Sequence, residues 1–283
     1  MTTSPITRFA PSPTGRLHLG HAWSAMLAHD LAQAAGGRSN LRIEDIDSAR
    51  CRPEFIDAIY EDLRWLGLDW EVDVMIQSER MDAYSGALDR LNDRGLVYRC
   101  LCTRADIASA ASASQGPIGM LYPGTCRHRG VADDAPMAWS WRLDTQKAAA
   151  IAGPLVWRDA LAGTAIATPE QLGDVVLARK DAGTSYHLAV TVDDAAQGIT
   201  HVVRGRDLFA ATHIHRLLQA LLALPTPDYH HHPLVVGPDG VRLAKRSAPQ
   251  TLAAMRDAGV DPEWLMENMR RRRFPVGFAL DQA

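Results

Sequence analysis

Between positions 53 and 91 the apolar residues fall at helical spacing. Phe55, Ile56, Ile59, Leu63 and Leu66 recur three and four apart behind Pro53, a residue suited to the first position of a helix. Met81, Tyr84, Leu88 and Leu91 repeat the pattern and predict another helix. Upstream, residues 7–10 and 40–45 are short extended runs that predict strands. Between them a helix is expected from about Gly20 to the pair Gly36-Gly37, a suitable stop. Strand and helix thus alternate, which predicts an α/β fold built on a parallel sheet. In such sheets ligands bind beyond the C-terminal ends of the strands. Glu44, Asp45 and Asp47 stand at that end of the second strand.

The alternation breaks near residue 98. Residues 98 to about 130 carry three of the four cysteines, and their Ala/Ser-rich middle, 108–116, predicts a mobile loop. Residues 137–170 predict short strands, at 139–143 and 154–157. Strands are expected again at 175–177, 187–192 and 201–205, followed by a helix through Leu222. There is no internal repeat.

The 283 residues suffice for one large domain or a core domain with inserts, and 47% apolar with 22% charged residues is ordinary for a globular protein. No uninterrupted apolar run is long enough to cross a bilayer, and the first residues lack a signal-peptide core. The expectation is a cytoplasmic protein with no membrane role, working as a monomer. A net charge of −3 means that any RNA contact must use a local patch, at 127–129 or 270–273. Cys51 stands alone and reads as an inert thiol. His230-His231-His232 has no spaced carboxylates or cysteines and reads as a turn or surface cluster.

Residues 8–21 read Arg-Phe-Ala-Pro-Ser-Pro-Thr-Gly-Arg-Leu-His-Leu-Gly-His and run straight into the first predicted helix. A helix N-terminus exposes unpaired N–H groups and the positive end of its dipole, an arrangement suited to phosphate. His18 and His21, three apart, share one side of that first turn. This stretch resembles the signature of class I aminoacyl-tRNA synthetases, with core His-x-Gly-His, and in its longer form resembles the glutamate branch. Two further stretches fit the same resemblance. One is Ala189-Val190-Thr191-Val192-Asp193-Asp194 followed by 199–207. The other is Leu243-Ala244-Lys245-Arg246-Ser247, similar to the mobile Lys-Met-Ser-Lys-Ser loop although Arg242, Leu243 and Ala244 depart from it.

The chemistry of such enzymes explains the residue types. A carboxylate attacks the α-phosphorus of ATP, and charge gathers on phosphate oxygens, so positioning and charge stabilisation do most of the work. The resemblance implies that His18, His21 and Lys245 act in catalysis and that Gly20 joins them around ATP, which would enter with Mg²⁺. It places Arg8, Phe9, Ala10, Pro11, Ser12, Glu44, Tyr186 and Arg204 on glutamate-binding positions. The two arginines offer forked donors for carboxylates and Glu44 an anion for the ammonium. Cys100, Cys102 and Cys126 have the makings of a tetrahedral Zn²⁺ site. His128 is the conventional fourth ligand, whereas the resemblance points to Tyr122.

The resemblance also implies a division of the chain. Residues 1–97 are the first half of a Rossmann-like nucleotide-binding fold and 98–172 an inserted zinc-bearing subdomain. Residues 173–247 are the second half with its lysine loop, and 248–283 a short helical C-terminal segment. Only 36 residues follow Ser247, where glutamyl-tRNA synthetases continue into an anticodon-binding domain. That architecture resembles the glutamyl-queuosine tRNA(Asp) synthetase family, which activates L-glutamate with ATP and transfers it to queuosine in the anticodon of tRNA(Asp). Three other readings are weighed against it: a truncated glutamyl-tRNA synthetase charging a 3′ end, a non-catalytic RNA-binding paralogue, and an adenylating enzyme with a small-molecule or protein acceptor.

Overall fold

The computed structural model describes residues 4–109, 115–116, 119–130, 139–179, 181–241, 243 and 251–281. In chain order the elements are β1 (Ile6–Phe9), α1 (Leu19–Ala34), β2 (Arg38–Ile43), α2 (Pro53–Trp65), β3 (Met75–Ile76), α3 (Met81–Asp93), β4 (Val97–Cys100) and α4 (Arg104–Ser109). Next come β5 (Gln115–Gly116), β6 (Gly119–Met120), β7 (Ser140–Leu143), α5 (Thr145–Ala152), β8 (Val156–Asp159), β9 (Gly163–Ile166), β10 (Val176–Arg179) and α6 (Tyr186–Ala196). The chain closes with β11 (His201–Gly205), α7 (Ala211–Leu221), β12 (Asp228–His232), β13 (Val235–Val236), α8 (Leu252–Asp257), α9 (Pro262–Arg270) and β14 (Ala279–Leu280). None of the described helices is long and apolar enough to cross a membrane.

The chain divides into two compact units. The first comprises Met1–Ser78, Ile199–Asp207 and Pro227–Ala283. Its strands β1, β2 and β3 pair in parallel, with Arg8 opposite Asn40 and Arg42 opposite Met75. β11 lies beside β1, where the Thr200 N–H donates to the Ile6 carbonyl, and pairs in parallel with β12. The core forms between this sheet and helices α1, α2, α8 and α9. Leu19, Trp23 and Met26 of α1 meet Leu41 and Ile43 of β2, Ile59 and Leu63 of α2, and Leu265 and Met269 of α9. Gly37 is required at the entrance to β2, because a Cβ there would lie 1.9 Å from the Pro5 carbonyl oxygen.

The second unit comprises Glu79–Gly198 and Leu208–Thr226. β4, β7 and β10 form an antiparallel sheet, and β8 and β9 an antiparallel hairpin. The expected strand at 187–192 is instead part of α6. Leu188, Ala189, Val190 and Thr191 are all buried, so the run shows no polar face and mimics a buried strand. The helix is fixed by Asp193, which is fully buried and accepts hydrogen bonds from Arg80 Nε and Tyr84 OH, both at 2.8 Å. The stretch 137–170 also contains a helix, α5, where only strands were expected. Asp144 caps it by accepting from the Lys147 N–H at 3.0 Å, and Gly153 stops it with φ +70°. The Ala/Ser-rich stretch at 108–116 falls largely outside the described residues.

Candidate functional site

The loop after β1 is braced from three sides. The Glu44 N–H donates to the Pro11 carbonyl and the Arg52 N–H to the Pro13 carbonyl, both at 3.0 Å, and the Leu252 N–H to the Leu17 carbonyl at 2.9 Å. The loop delivers His18 to the N-cap of α1, and the two histidines close a reciprocal capping box. His18 Nδ1 accepts from the Gly20 N–H, and His21 Nδ1 accepts from the His18 N–H, each at 3.1 Å. Their ring centroids are 3.8 Å apart. With Nδ1 accepting in both rings, each neutral imidazole carries its proton on Nε2 and offers that N–H as a donor. No acidic side chain occupies the first turn, so the positive end of the helix dipole is not offset there. A Cβ at Gly20 would meet His18 Cε1 at 3.1 Å and Nδ1 at 3.2 Å, which accounts for glycine between the histidines.

Of the residues expected to bind glutamate, those of the first unit occupy the strand ends around this loop. Arg8 is buried in β1 and its Nη1 donates to the Val203 carbonyl at 3.4 Å. Phe9 and Pro11 are buried, and Ala10 and Ser12 half-buried. Glu44 is buried and its Oε1 lies 3.2 Å from Nη2 of Arg42, a fully buried side chain, so the carboxylate is held in an ion pair. Arg204 is buried in β11, and its Nε donates to His231 Nε2 at 3.1 Å. Tyr186 belongs to the other unit, in the first turn of α6. There its ring packs edge-on against His215, which faces His187 Nδ1 through Nε2 at 3.2 Å.

Lys245 lies outside the described residues. The chain on either side of it is anchored within the first unit. Leu243 packs on the core, and Thr251 forms an isolated bridge with His18 before capping α8.

The histidine triplet at 230–232 is not a surface cluster. It is carried by β12, where His231 is buried with Tyr229 on one strand face and His232 is buried on the other. Nor are the arginines of the two basic runs all open to solvent. Arg127 is half-buried and pairs with Asp174 at 2.8 Å, whereas Arg270 is exposed but pairs with Asp30 at 2.8 Å.

In the second unit the sulfurs of Cys100, Cys102 and Cys126 lie within 4.8 Å of one another. The Tyr122 hydroxyl sits among them, 3.3 Å from Cys100 Sγ and 3.6 Å from Cys102 Sγ, and accepts the Cys126 N–H at 2.8 Å. His128 is exposed and is not part of the group. Burial, reinforced by its thiol neighbours, pushes the Tyr122 hydroxyl up, and burial is likewise the main reason the Cys102 thiol is pushed up to about 11. For Cys126 burial acts in the same direction but is outweighed by hydrogen bonds, chiefly with Tyr122, so that thiol is lowered. Three thiols and a phenol at these separations fit a small tetrahedral cation, whose charge would favour the deprotonated forms.

The sequence profile of the tRNA synthetases class I (E and Q), catalytic domain, matches residues 6–279. The glutamyl-Q tRNA(Asp) synthetase of Rhodobacter capsulatus is 53% identical over 268 residues, covering 91% of this chain and 96% of that protein. This chain belongs to the glutamyl-Q tRNA(Asp) synthetase family. A second member, from Symbiobacterium thermophilum, is 43% identical over 93% of this chain and 84% of its own length. The fold of the family is that of the class I synthetases. The crystal structure of a glutamate tRNA ligase from Elizabethkingia meningosepticum, in complex with its amino acid, superposes with a TM-score of 0.77 at 26% identity. That match covers 94% of this chain and 60% of the ligase, so the chain spans about three fifths of that protein's length. Like the rest of its family, the protein is a ligase of the aminoacyl-tRNA synthetase type that works with ATP.

Sequence reading alone missed His231, Tyr229, Arg142 and Asp174. None belongs to a local motif. The first two are brought to Arg204 by strand register, and the last two reach the thiol cluster from strand β7 and from the residue two before β10.

Proposed function

We propose that the protein activates L-glutamate with ATP as glutamyl-adenylate and transfers the glutamyl group to queuosine in the anticodon of tRNA(Asp). The observation that carries this reading is a histidine-capped, acid-free helix N-terminus set in one unit with buried Arg8, Arg204 and Glu44. It occurs in a chain that matches a glutamyl-Q tRNA(Asp) synthetase over nearly that protein's whole length.

In the first step an oxygen of the α-carboxylate attacks the α-phosphorus. The new P–O bond forms as the bond to the β-phosphate oxygen breaks, and pyrophosphate leaves, with Mg²⁺ accompanying the phosphates. The Nε2–H groups of His18 and His21, the helix end and Lys245 stabilise the charge on the phosphate oxygens. Arg8 and Arg204 grip carboxylates, and Glu44, fixed by Arg42, receives the ammonium. Phe9, Ala10, Pro11 and Ser12 form the strand-end wall of this glutamate site, and the family resemblance adds Tyr186. In the second step a hydroxyl of the queuosine cis-diol attacks the acyl carbon, an ester forms and AMP leaves.

Cys100, Cys102, Cys126 and Tyr122 would hold one Zn²⁺, which ties the insert together as a structural cross-link. A reducing cytoplasm suits this reading, since none of the four cysteines forms a disulfide.

The test is transfer of labelled glutamate to tRNA(Asp) with and without queuosine. Labelling confined to the modified tRNA is expected. Equal labelling of both, or labelling of tRNA(Glu) alone, would overturn the queuosine acceptor in favour of 3′-end charging.

A further inference from the structure

Asp174 takes no part in the function described so far, yet its carboxylate and carbonyl accept bonds from Tyr98, Arg127, Thr145 and Arg142. It is 2% exposed. A carboxylate withdrawn from water needs its charge answered by donors. Asp174 Oδ2 accepts from Tyr98 OH at 2.5 Å and from Arg127 Nε at 2.9 Å, and Arg127 Nη2 lies 2.8 Å from it. Oδ1 accepts the Thr145 N–H at 3.1 Å, at the start of α5. The Asp174 carbonyl accepts from Arg142 Nη1 at 2.7 Å.

The positions of these donors carry the argument. Tyr98 stands on β4 two residues before Cys100, and Arg127 directly follows Cys126. Arg142, opposite Tyr98 in the β4–β7 register, lays its guanidinium carbon 3.8 Å from the centroid of the Tyr122 ring. Gly173, next to Asp174, runs against the Tyr122 backbone, where a Cβ would lie 3.6 Å from both its nitrogen and its oxygen. Three of the four chain positions expected to ligate zinc are therefore fastened to one buried residue outside the insert.

We propose that Asp174 is a positioning residue of the zinc site, holding Cys100, Cys126 and Tyr122 at ligand spacing through Tyr98, Arg127 and Arg142. The inference rests on the zinc reading given above. A residue that only supports the fold lowers the stability of the metal-free and metal-bound protein alike. A residue that arranges the ligands lowers what zinc adds.

The experiment measures zinc affinity by chelator competition, and melting temperature with and without zinc, for the full chain and for D174N and R127Q. R127Q removes one arm of the network from a partly exposed side chain and decides the matter where D174N does not fold. The expected result is a 10- to 100-fold loss of zinc affinity in D174N, the range typical of residues that orient metal ligands, and a smaller loss in R127Q, with a reduced zinc-dependent rise in Tm. Unchanged zinc affinity in every variant that folds overturns the role of Asp174 and leaves the zinc reading standing, even where metal-free stability falls. A wild-type protein that takes up no zinc overturns both, and is recognised without any variant.

Discussion

Arg204 and His231 face each other across β11 and β12, and the arginine Nε donates to the histidine Nε2 at 3.1 Å. To accept, His231 must leave Nε2 unprotonated, so this bond fixes the guanidinium without cancelling its charge. Tyr229 completes the cradle. Two residues earlier on the same strand face, it stacks parallel to His231 at 5.7 Å between centroids and lies 5.5 Å below the Arg204 guanidinium carbon.

For an arginine assigned to a substrate carboxylate, this cradle predicts a selective defect. A hydrogen bond to a charged group contributes about 1.5–3 kcal/mol. H231F should raise the KM for glutamate about tenfold in ATP–pyrophosphate exchange while leaving the KM for ATP within about twofold. H231Q keeps an acceptor and should recover much of the loss. An equal rise in both KM values would argue against a role confined to Arg204.

The capping box predicts coupled rather than additive losses. Removing one donor from a site that stabilises developing charge typically costs about 3 kcal/mol, on the order of a hundredfold in rate. H18A and H21A should each slow adenylate formation by about that factor. Each Nδ1 accepts a backbone N–H of the same first turn, so losing one ring loosens the other. The double variant should therefore fall well short of the product of the two single losses, and single-turnover kinetics would read this directly. G20A should show a milder defect of the same kind, since its methyl group presses on His18 at 3.1 Å.

Much of this site was legible in the sequence because its parts lie in local motifs. The capping histidines, the glycine between them and Glu44 at a strand end are all read from short spacings. Tyr122 shows where locality ends. The residues alone favoured His128, which sits two beyond Cys126 but is exposed, whereas the phenol four residues before Cys126 is folded back onto the sulfurs. The run 187–192 misled for a different reason. A helix buried on several sides has no polar stripe, and β-branched residues then imitate a strand. His231 stood in a triplet that reads as a surface cluster, and Asp174 left no sequence signal, because strand register and long-range hydrogen bonds select their partners.

The segment holding Lys245 should depend on its anchor as well as on its charge. Thr251 bridges to His18, and its hydroxyl accepts the Ala254 N–H at 3.2 Å. T251A removes that cap at a typical cost of about 1 kcal/mol and should shorten the melting transition of the first unit only slightly. Its effect on adenylate formation should be a few-fold. K245A, which on the proposed mechanism removes a cation from the developing charge, should cost about a hundredfold with no change in melting. A T251A defect as large as that of K245A would mean that the anchor, rather than the charge, sets the rate.

His232 predicts how the first unit responds to acid. Its Nδ1 donates to the Pro233 carbonyl at 2.9 Å, its Nε2 is buried without a partner, and the Trp23 ring meets it edge-on at 6.3 Å. Burial is the main reason its pKa falls to about 4. His230 pushes in the same direction, while Asp207 and Asp281 oppose it. The unfolded chain takes up this proton near the ordinary histidine pKa of about 6.5, before the folded protein does. Stability is therefore lost as pH falls from about 6.5 toward about 4, at roughly 1.4 kcal/mol per unit and about 3 kcal/mol in all. H232F keeps an aromatic ring beside Trp23 and has no proton to gain. Its urea midpoint should drop less than that of the wild type between pH 7.5 and pH 5, even if it starts lower for want of the Pro233 hydrogen bond. The contribution of Asp30 does not confuse the comparison. Although burial acts to raise it, the His29 ring 3.6 Å away and the two hydrogen bonds from Arg270 hold its carboxyl at about 2, so its stabilising effect is present above about 4 and is lost only below that. Parallel pH profiles for the two proteins would show that His232 is hydrated or already charged in the folded state.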